Sequence, residues 1–132
     1  MIFGTFDGLH LGHLNFFKQA RNVARNVYLI ISVARDENVK KIKGSLPYLS
    51  ERKRLALVKK CKCAHKVILS GIANHIPHIV REHPDIIALG YDQRDYIKNL
   101  KKDLKDKGIL VQIVRLKPYK EKIYKNHLLK NI

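Results

Sequence analysis

Apolar positions along this chain alternate between two rhythms. Largely apolar, strand-like segments fall at Met1 to Phe6, Val27 to Ala34, Lys66 to Leu69, Ile86 to Leu89 and Leu110 to Arg115. Between them apolar residues recur at helical spacing. Leu14, Phe17, Ala20 and Ala24 mark a helix over Leu11 to Ala24, and further helices are predicted over Ser50 to Lys62, Ile76 to Glu82 and Tyr96 to Lys107. Ser50 stands where an N-cap is needed, although Ser50-Glu51-Arg52-Lys53 does not complete a capping box. Strands that alternate with helices predict a parallel sheet covered on both faces, because each crossover must pack its helix back onto the sheet. The expected fold is therefore α/β, a Rossmann-like, doubly wound, five-stranded parallel sheet forming a single domain over residues 1–132, since no linker or repeat divides the chain. Ligands of such sheets bind at the carboxyl ends of the strands, here beside the first strand.

The segment that lands there is Gly4-Thr5-Phe6-Asp7-Gly8-Leu9-His10-Leu11-Gly12-His13, with two histidines three residues apart at the start of a helix. Its glycines permit tight turns. The first amides of the helix and the positive end of its dipole favour phosphate, and protonatable imidazoles beside them add charge. This reads as a nucleotide-handling site. Taken alone, a His-x-x-His pair also fits a metal half-site, two surface histidines or a simple helix cap.

Gly-Thr-Phe-Asp followed by His-x-Gly-His resembles the signature of the small cytidylyltransferase-like nucleotidyltransferases. Ala34-Arg35-Asp36, Lys40-Lys41-Ile42-Lys43-Gly44, Glu51 with Arg54, Pro84-Asp85-Ile86-Ile87 and Gly90-Tyr91-Asp92-Gln93 follow in that family's order, so the resemblance covers nearly the whole chain. It implies transfer of a nucleoside monophosphate from ATP or CTP to a phosphorylated small molecule, with Mg2+ and with release of pyrophosphate. A phosphate monoester is already nucleophilic, so such a site must align it and neutralise developing charge more than supply a base.

Within that resemblance His10 and His13 donate hydrogen bonds or charge to phosphate oxygens, and Gly4, Thr5, Phe6 and Asp7 line the phosphates. Asp7 is either an orienting or magnesium-holding carboxylate or a turn residue. Lys43 is implied to be a flexible-loop lysine reaching the triphosphate, with Lys40 and Lys41 as substitutes and Gly44 making a mobile loop reasonable. Arg54 takes the place of a phosphate-binding arginine, against an ion pair with Glu51 at helical spacing. Gly90 and Asp92 fall where the base is touched, and an aspartate there accepts from an amino group that adenine and cytosine both carry. Arg115, Tyr124, Lys125 and Asn126 belong to a closing segment resembling that of archaeal-type FAD synthases, with Asn126-His127 where Ser or Thr pairs commonly follow. His65-Lys66 replaces an acidic pair of the relatives, and the first strand is short.

Charge changes the picture in one respect. Lys and Arg exceed Asp and Glu by 27 to 11, a net charge of +16, which suits either nucleic acid or a solvated lysine-rich surface around an anionic substrate. The lysines are scattered over Lys40 to Lys43, Lys59 to Lys66, Lys98 to Lys107 and Lys117 to Lys125, and no nucleic-acid motif accompanies them, which favours the second. Cys61 and Cys63, the only cysteines, are expected neither to close a disulfide readily nor to hold zinc. His75, His78 and His83 lack carboxylate or cysteine companions and read as surface histidines. Neither a signal peptide nor a membrane-length apolar run is evident, so a cytoplasmic enzyme is expected.

The tail and the short length favour ATP with flavin mononucleotide (FMN) as substrates, as in archaeal-type FAD synthases. The alternatives are CTP with glycerol 3-phosphate and, in another class, a non-catalytic nucleotide- or RNA-binding module. Homodimers are frequent in the family, but no sequence feature marks a pairing surface.

Overall fold

The computed structural model describes residues 1–72, 74–93 and 99–118, together with the backbone of Leu128 and Leu129. Its elements run β1 (Ile2–Gly4), β2 (Leu9–His10), α1 (Leu11–Arg21), β3 (Ile30–Val33), α2 (Asp36–Lys43), α3 (Glu51–Cys61), β4 (Lys66–Leu69), α4 (His75–Glu82), β5 (Ile86–Leu89), α5 (Leu100–Asp106), β6 (Gln112–Arg115) and β7 (Leu128–Leu129). All five strands expected from the apolar runs are present, with β1, β3 and β6 trimmed to their centres.

β3 lies between β1 and β4, both parallel to it, with Ile2 opposite Ile31 and Ile31 opposite Val67. β5 and β6 form a second parallel pair, with Ile87 opposite Ile113. The expected single five-stranded sheet is not seen as one ladder: the five strands form one parallel ladder of three and one of two. The reason lies in β1. Only three residues long, it meets β5 through two bonds of Met1: its main-chain nitrogen donates to the Ile86 carbonyl at 2.8 Å, and its carbonyl accepts from Ala88 N–H at 3.1 Å.

Side chains alternate between two cores along the parallel strands β1, β3, β4, β5 and β6. Ile2, Ile31, Ala88 and Val114 join one cluster with Phe17 and Ala20 of α1 and Val58 of α3. Their neighbours Phe3, Ile30, Ile87 and Ile113 join another with Ile79 of α4 and Leu100 and Leu104 of α5. Both faces are covered, which is why the strands read as continuous apolar runs. Each fully buried Ile or Leu contributes about 1.5–3 kcal/mol through removal from water.

Local signals explain the helix ends. α1 stops at Arg21, short of the expected Ala24, where Asn22 N–H turns back to the Gln19 and Ala20 carbonyls. α4 starts on Asn74, whose side chain accepts from Ile76 N–H at 3.0 Å, and Pro77 is tolerated because it falls in the first turn, where its missing N–H costs no helical bond. The segment Lys40 to Lys43, expected as a mobile loop, is the end of α2. Acidic residues Asp36 and Glu37 begin that helix, lysines end it, and Gly44 caps it with φ 84°. The cysteine expectation is also corrected. Left-handed Lys62, φ 56°, folds the chain after α3 so that the Cα atoms of Cys61 and Cys63 stand 5.3 Å apart, and a disulfide joins them.

His78 is not a surface histidine either. It is buried on α4, with Nε2 2.8 Å from Ser32 Oγ. Burial pushes the imidazoles of His75 and His78 below their ordinary range, because the charged form is disfavoured away from water. A histidine whose folded value is lowered stabilises the fold fully above the unfolded value, and that stability is lost as pH falls through about 6.5. Thermal unfolding followed from pH 8 to 5 is expected to show the midpoint dropping below about pH 6.5. His78→Asn is expected to flatten that slope while lowering the plateau.

Among the described residues no helix is long and apolar enough to cross a membrane.

Candidate active site

The chain leaves β1 under constraint. Phe6 adopts a left-handed backbone, φ 55°, uncommon for a bulky residue. Packing holds it there: the ring is buried and meets His13 and Phe17 edge-on, with centroids 5.5 and 5.4 Å away. The same ring folds back over Gly4, where a Cβ would come within 2.4 Å of it, so glycine is required there by close approach. Strain retained at a turn and fixed by its surroundings is common where function resides. β2 then pairs antiparallel with β7, Leu9 opposite Leu129 and His10 opposite Leu128, so the backbone near the end of the chain returns to the motif.

His10 and His13 cap α1 reciprocally. His10 Nδ1 accepts from the His13 amide at 3.3 Å, and His13 Nδ1 accepts from the His10 amide at 3.2 Å. The rings stack with centroids 3.8 Å apart. A nitrogen that accepts carries no proton, so the hydrogen bonds assign both rings as neutral tautomers protonated at Nε2. Of the hydrogen bonds or charge expected of these imidazoles, the geometry provides two oriented Nε2–H donors at the helix terminus. Gly12 has a physical role between them, since a Cβ there would lie 2.8 Å from the His10 ring.

Asp7 ties this turn to the segment before α3. Its oxygens accept from Tyr48 N–H at 2.6 Å and Leu49 N–H at 2.7 Å, so of the alternatives considered it is the carboxylate that orients a neighbouring segment. Arg54, at 0% exposure, reaches the turn from the other side. Its Nε donates to the Leu49 carbonyl at 3.1 Å, Nη1 to the Thr5 carbonyl at 2.8 Å and Nη2 to Asp36 Oδ1 at 2.6 Å. Both expectations for Arg54, an open phosphate clamp or a surface pair with Glu51, are corrected, because the guanidinium is spent inside the protein. Glu51 pairs instead with Arg35 at 3.0 Å. It also caps the Asp36 amide while Asp36 caps the Glu51 amide, so α2 and α3 begin back to back. Asp36 and Glu51 thus brace the site in ways their spacing in the sequence did not reveal.

Lys43 is exposed at the end of α2 and, with Thr5, lines a cavity of about 90 Å³ at the carboxyl ends of β1, β3 and β4. At the carboxyl ends of β5 and β6, Arg115 Nη1 gathers the carbonyls of Gly90, Tyr91 and Gln93 at 2.9, 3.4 and 3.1 Å. Gln93 pins the same turn to β1, donating to the Phe3 carbonyl and accepting from Gly90 N–H, each at 2.8 Å. Gly90, exposed Asp92 and Arg115 therefore sit together one strand away from the histidines, and Arg115 shapes the turn. In the sequence Gln93 is only the end of Gly90-Tyr91-Asp92-Gln93, and nothing there marks its bridging role. Tyr124, Lys125 and Asn126 lie outside the described residues.

Among the described residues no group of three or more His, Cys, Asp or Glu is placed to hold a metal ion. A larger cavity of about 510 Å³, lined by Arg25, Tyr28, Lys66, Arg81 and Asp85 among others, lies at the amino ends of the strands, away from the motif.

Comparison with known proteins agrees with this geometry. The sequence model of the cytidylyltransferase-like family matches residues 1–127. The chain is 41% identical to an FAD synthase of Korarchaeum cryptofilum over 88% of its length and 79% of that protein. It is 35% identical to an FAD synthase of Thermoplasma volcanium over 90% of its length and 82% of that protein. The crystal structure of a lipopolysaccharide core biosynthesis protein from Thermoplasma volcanium superposes with a TM-score of 0.81 at 35% identity, covering 90% of this chain and 95% of the other. A helix start that faces two histidine donors to the carboxyl end of a parallel sheet is thus joined to a family match over nearly all of the sequence, and the chain belongs to the cytidylyltransferase-like family and is a nucleotidyltransferase.

Proposed function

We propose that this enzyme is an FAD synthase that transfers AMP from ATP to FMN. The observation that carries the reading is the reciprocal histidine cap, which sets two Nε2–H donors at the amino end of α1, beside a cavity shared by Thr5 and Lys43. The naming of two relatives as FAD synthases supports the choice of substrates.

In the proposed reaction a phosphate oxygen of FMN attacks the α-phosphorus of ATP in line. A new P–O bond forms, the bond to the oxygen bridging to the β-phosphorus breaks, and pyrophosphate leaves with that electron pair. His10 and His13 donate through Nε2 to oxygens of the α- and β-phosphates, where charge builds in the transition state. Amides of the first turn of α1 add further donors. Lys43 draws the anionic substrates to the cavity mouth, and Arg54 acts as a positioning residue by fixing the Thr5 carbonyl. Gly90 and Asp92 face the adenine. The ladders of three and two strands serve as one doubly wound sheet of order β4-β3-β1-β5-β6, with the switch point at β1.

Charge neutralisation on the triphosphate is the chemistry that a magnesium ion would supply here. The residues present fit an ion held chiefly by the nucleotide, because both Asp7 oxygens are engaged by backbone amides and the described residues form no cage. ATP and FMN are substrates of the cytoplasm, and the enzyme is assigned there on that account.

Pyrophosphate release measured with ATP or CTP, each paired with FMN or glycerol 3-phosphate, tests the reading. Activity with ATP and FMN that disappears on chelation of magnesium is expected. Activity confined to CTP and glycerol 3-phosphate would replace it with cytidylyl transfer. Silence in every pairing, with salt-sensitive RNA binding by the folded protein, would point to a binding module instead.

A further inference from the structure

β3 carries an anomaly. Its sequence Ile30-Ile31-Ser32-Val33 is wholly buried, yet the third position is a hydroxyl on the face that packs against α4. The buried imidazole of His78 satisfies it at 2.8 Å. Two apolar residues would fill this space without desolvating polar groups, so the Ser32–His78 pair is an expensive way to build a core. Ser32 differs from an ordinary core residue in one respect: it lines the cavity that also contains Thr5 of the motif and Lys43.

That cavity has a distinct chemistry. Phe3, Val39, Ile42 and His75 give it apolar and aromatic walls, while the buried hydroxyls of Ser32 and Ser70 give it a polar floor. The Phe3 and His75 rings meet edge-on with centroids 6.0 Å apart. Such a slot takes the edge of a flat heteroaromatic ring and wastes its walls on a small polyol phosphate. A serine hydroxyl can donate once and accept twice, and one of these capacities is spent on His78. With His78 Nε2–H as the donor, the hydroxyl keeps one donor and one acceptor, which match an N–H and one adjoining carbonyl of a ring edge.

We infer that Ser32, oriented by His78, is a specificity-determining residue that reads the imide edge of the acceptor's ring. The inference rests on the FMN reading above and deepens it. His78 is a positioning residue that acts through the serine; His75 and Phe3 flank the ring, and Lys43 meets the phosphate end.

The test compares FMN with N3-methyl FMN, in which the imide N–H is blocked, as acceptors for wild type and for Ser32→Ala. Wild type is expected to show a KM about tenfold higher for the methylated acceptor, the size of effect expected when one buried hydrogen bond is lost. In Ser32→Ala the two acceptors should agree to within about twofold, with KM for ATP unchanged, because the partner of the blocked group is already gone. A serine that only supports the core would affect both acceptors and ATP alike. Equal use of the two acceptors by wild type, or discrimination that survives in Ser32→Ala, would overturn the assignment. The wild-type comparison needs no variant and decides the matter by itself if Ser32→Ala does not fold. Transfer to neither acceptor by wild type would instead remove the FMN reading.

Discussion

His10→Ala is expected to lower kcat with ATP and FMN by about a thousandfold while raising KM for ATP only a few fold, the pattern left when a donor acting mainly in the transition state is removed. The substitution removes three things at once: the Nε2–H donor, the Nδ1 that caps the His13 amide, and the ring that stacks on His13. Loss of the cap costs about 1 kcal/mol of stability, so the catalytic loss must be separated from it. His10→Asn makes the separation, since asparagine is a good N-cap but does not place a donor where the imidazole Nε2 lies. The expected result is a thermal midpoint near wild type and turnover as poor as in His10→Ala. Equal losses in kcat and in ATP affinity would show that the ring binds the ground state and would remove its assigned role.

The second large effect is on stability. Arg54→Met is expected to destabilise the fold by about 1–3 kcal/mol, the cost of leaving buried acceptors without a donor, since the Asp36 side chain keeps 29% of its exposure to water. Asp36 would lose its guanidinium, and the Thr5 and Leu49 carbonyls would lose their donors. Arg54→Lys should recover only part of this, because a single ammonium cannot span three acceptors in a fixed fork. Urea unfolding midpoints of the two variants against wild type provide the check. An arginine that instead clamped phosphate would leave the midpoint in place and raise KM for ATP, and that outcome would contradict the bracing role drawn from its burial.

Strand positions were legible in the sequence because both faces of the sheet are buried, which turns each strand into an apolar run bounded by polar residues. The histidine motif was legible because glycine spacing and a helix start coincide there. α2 is not legible from hydrophobic periodicity, because only Val39 turns inward, although Asp36-Glu37 at its start, lysines at its end and Gly44 beyond it carry the signal. The role of Arg54 could not be read in the same way. Its partners Thr5, Asp36 and Leu49 are 49, 18 and 5 residues distant, and only the packing of α2 and α3 against the motif brings them together. The neutral state of His10 and His13 likewise depended on which nitrogen meets an amide, a matter of geometry and not of spacing. Burial of His78 was hidden by two nearby histidines and resolved by one contact with Ser32 on a different strand.

One measurement bears most directly on the central claim. The enzyme is incubated with FMN, magnesium and ATP labelled with 32P at the α-position, and the products are separated. The predicted result is label in FAD, with pyrophosphate unlabelled and with transfer by His10→Ala slowed about a thousandfold. Label that remains in AMP or ATP while FMN is unchanged would contradict the claim that this site joins a nucleotide to the flavin phosphate.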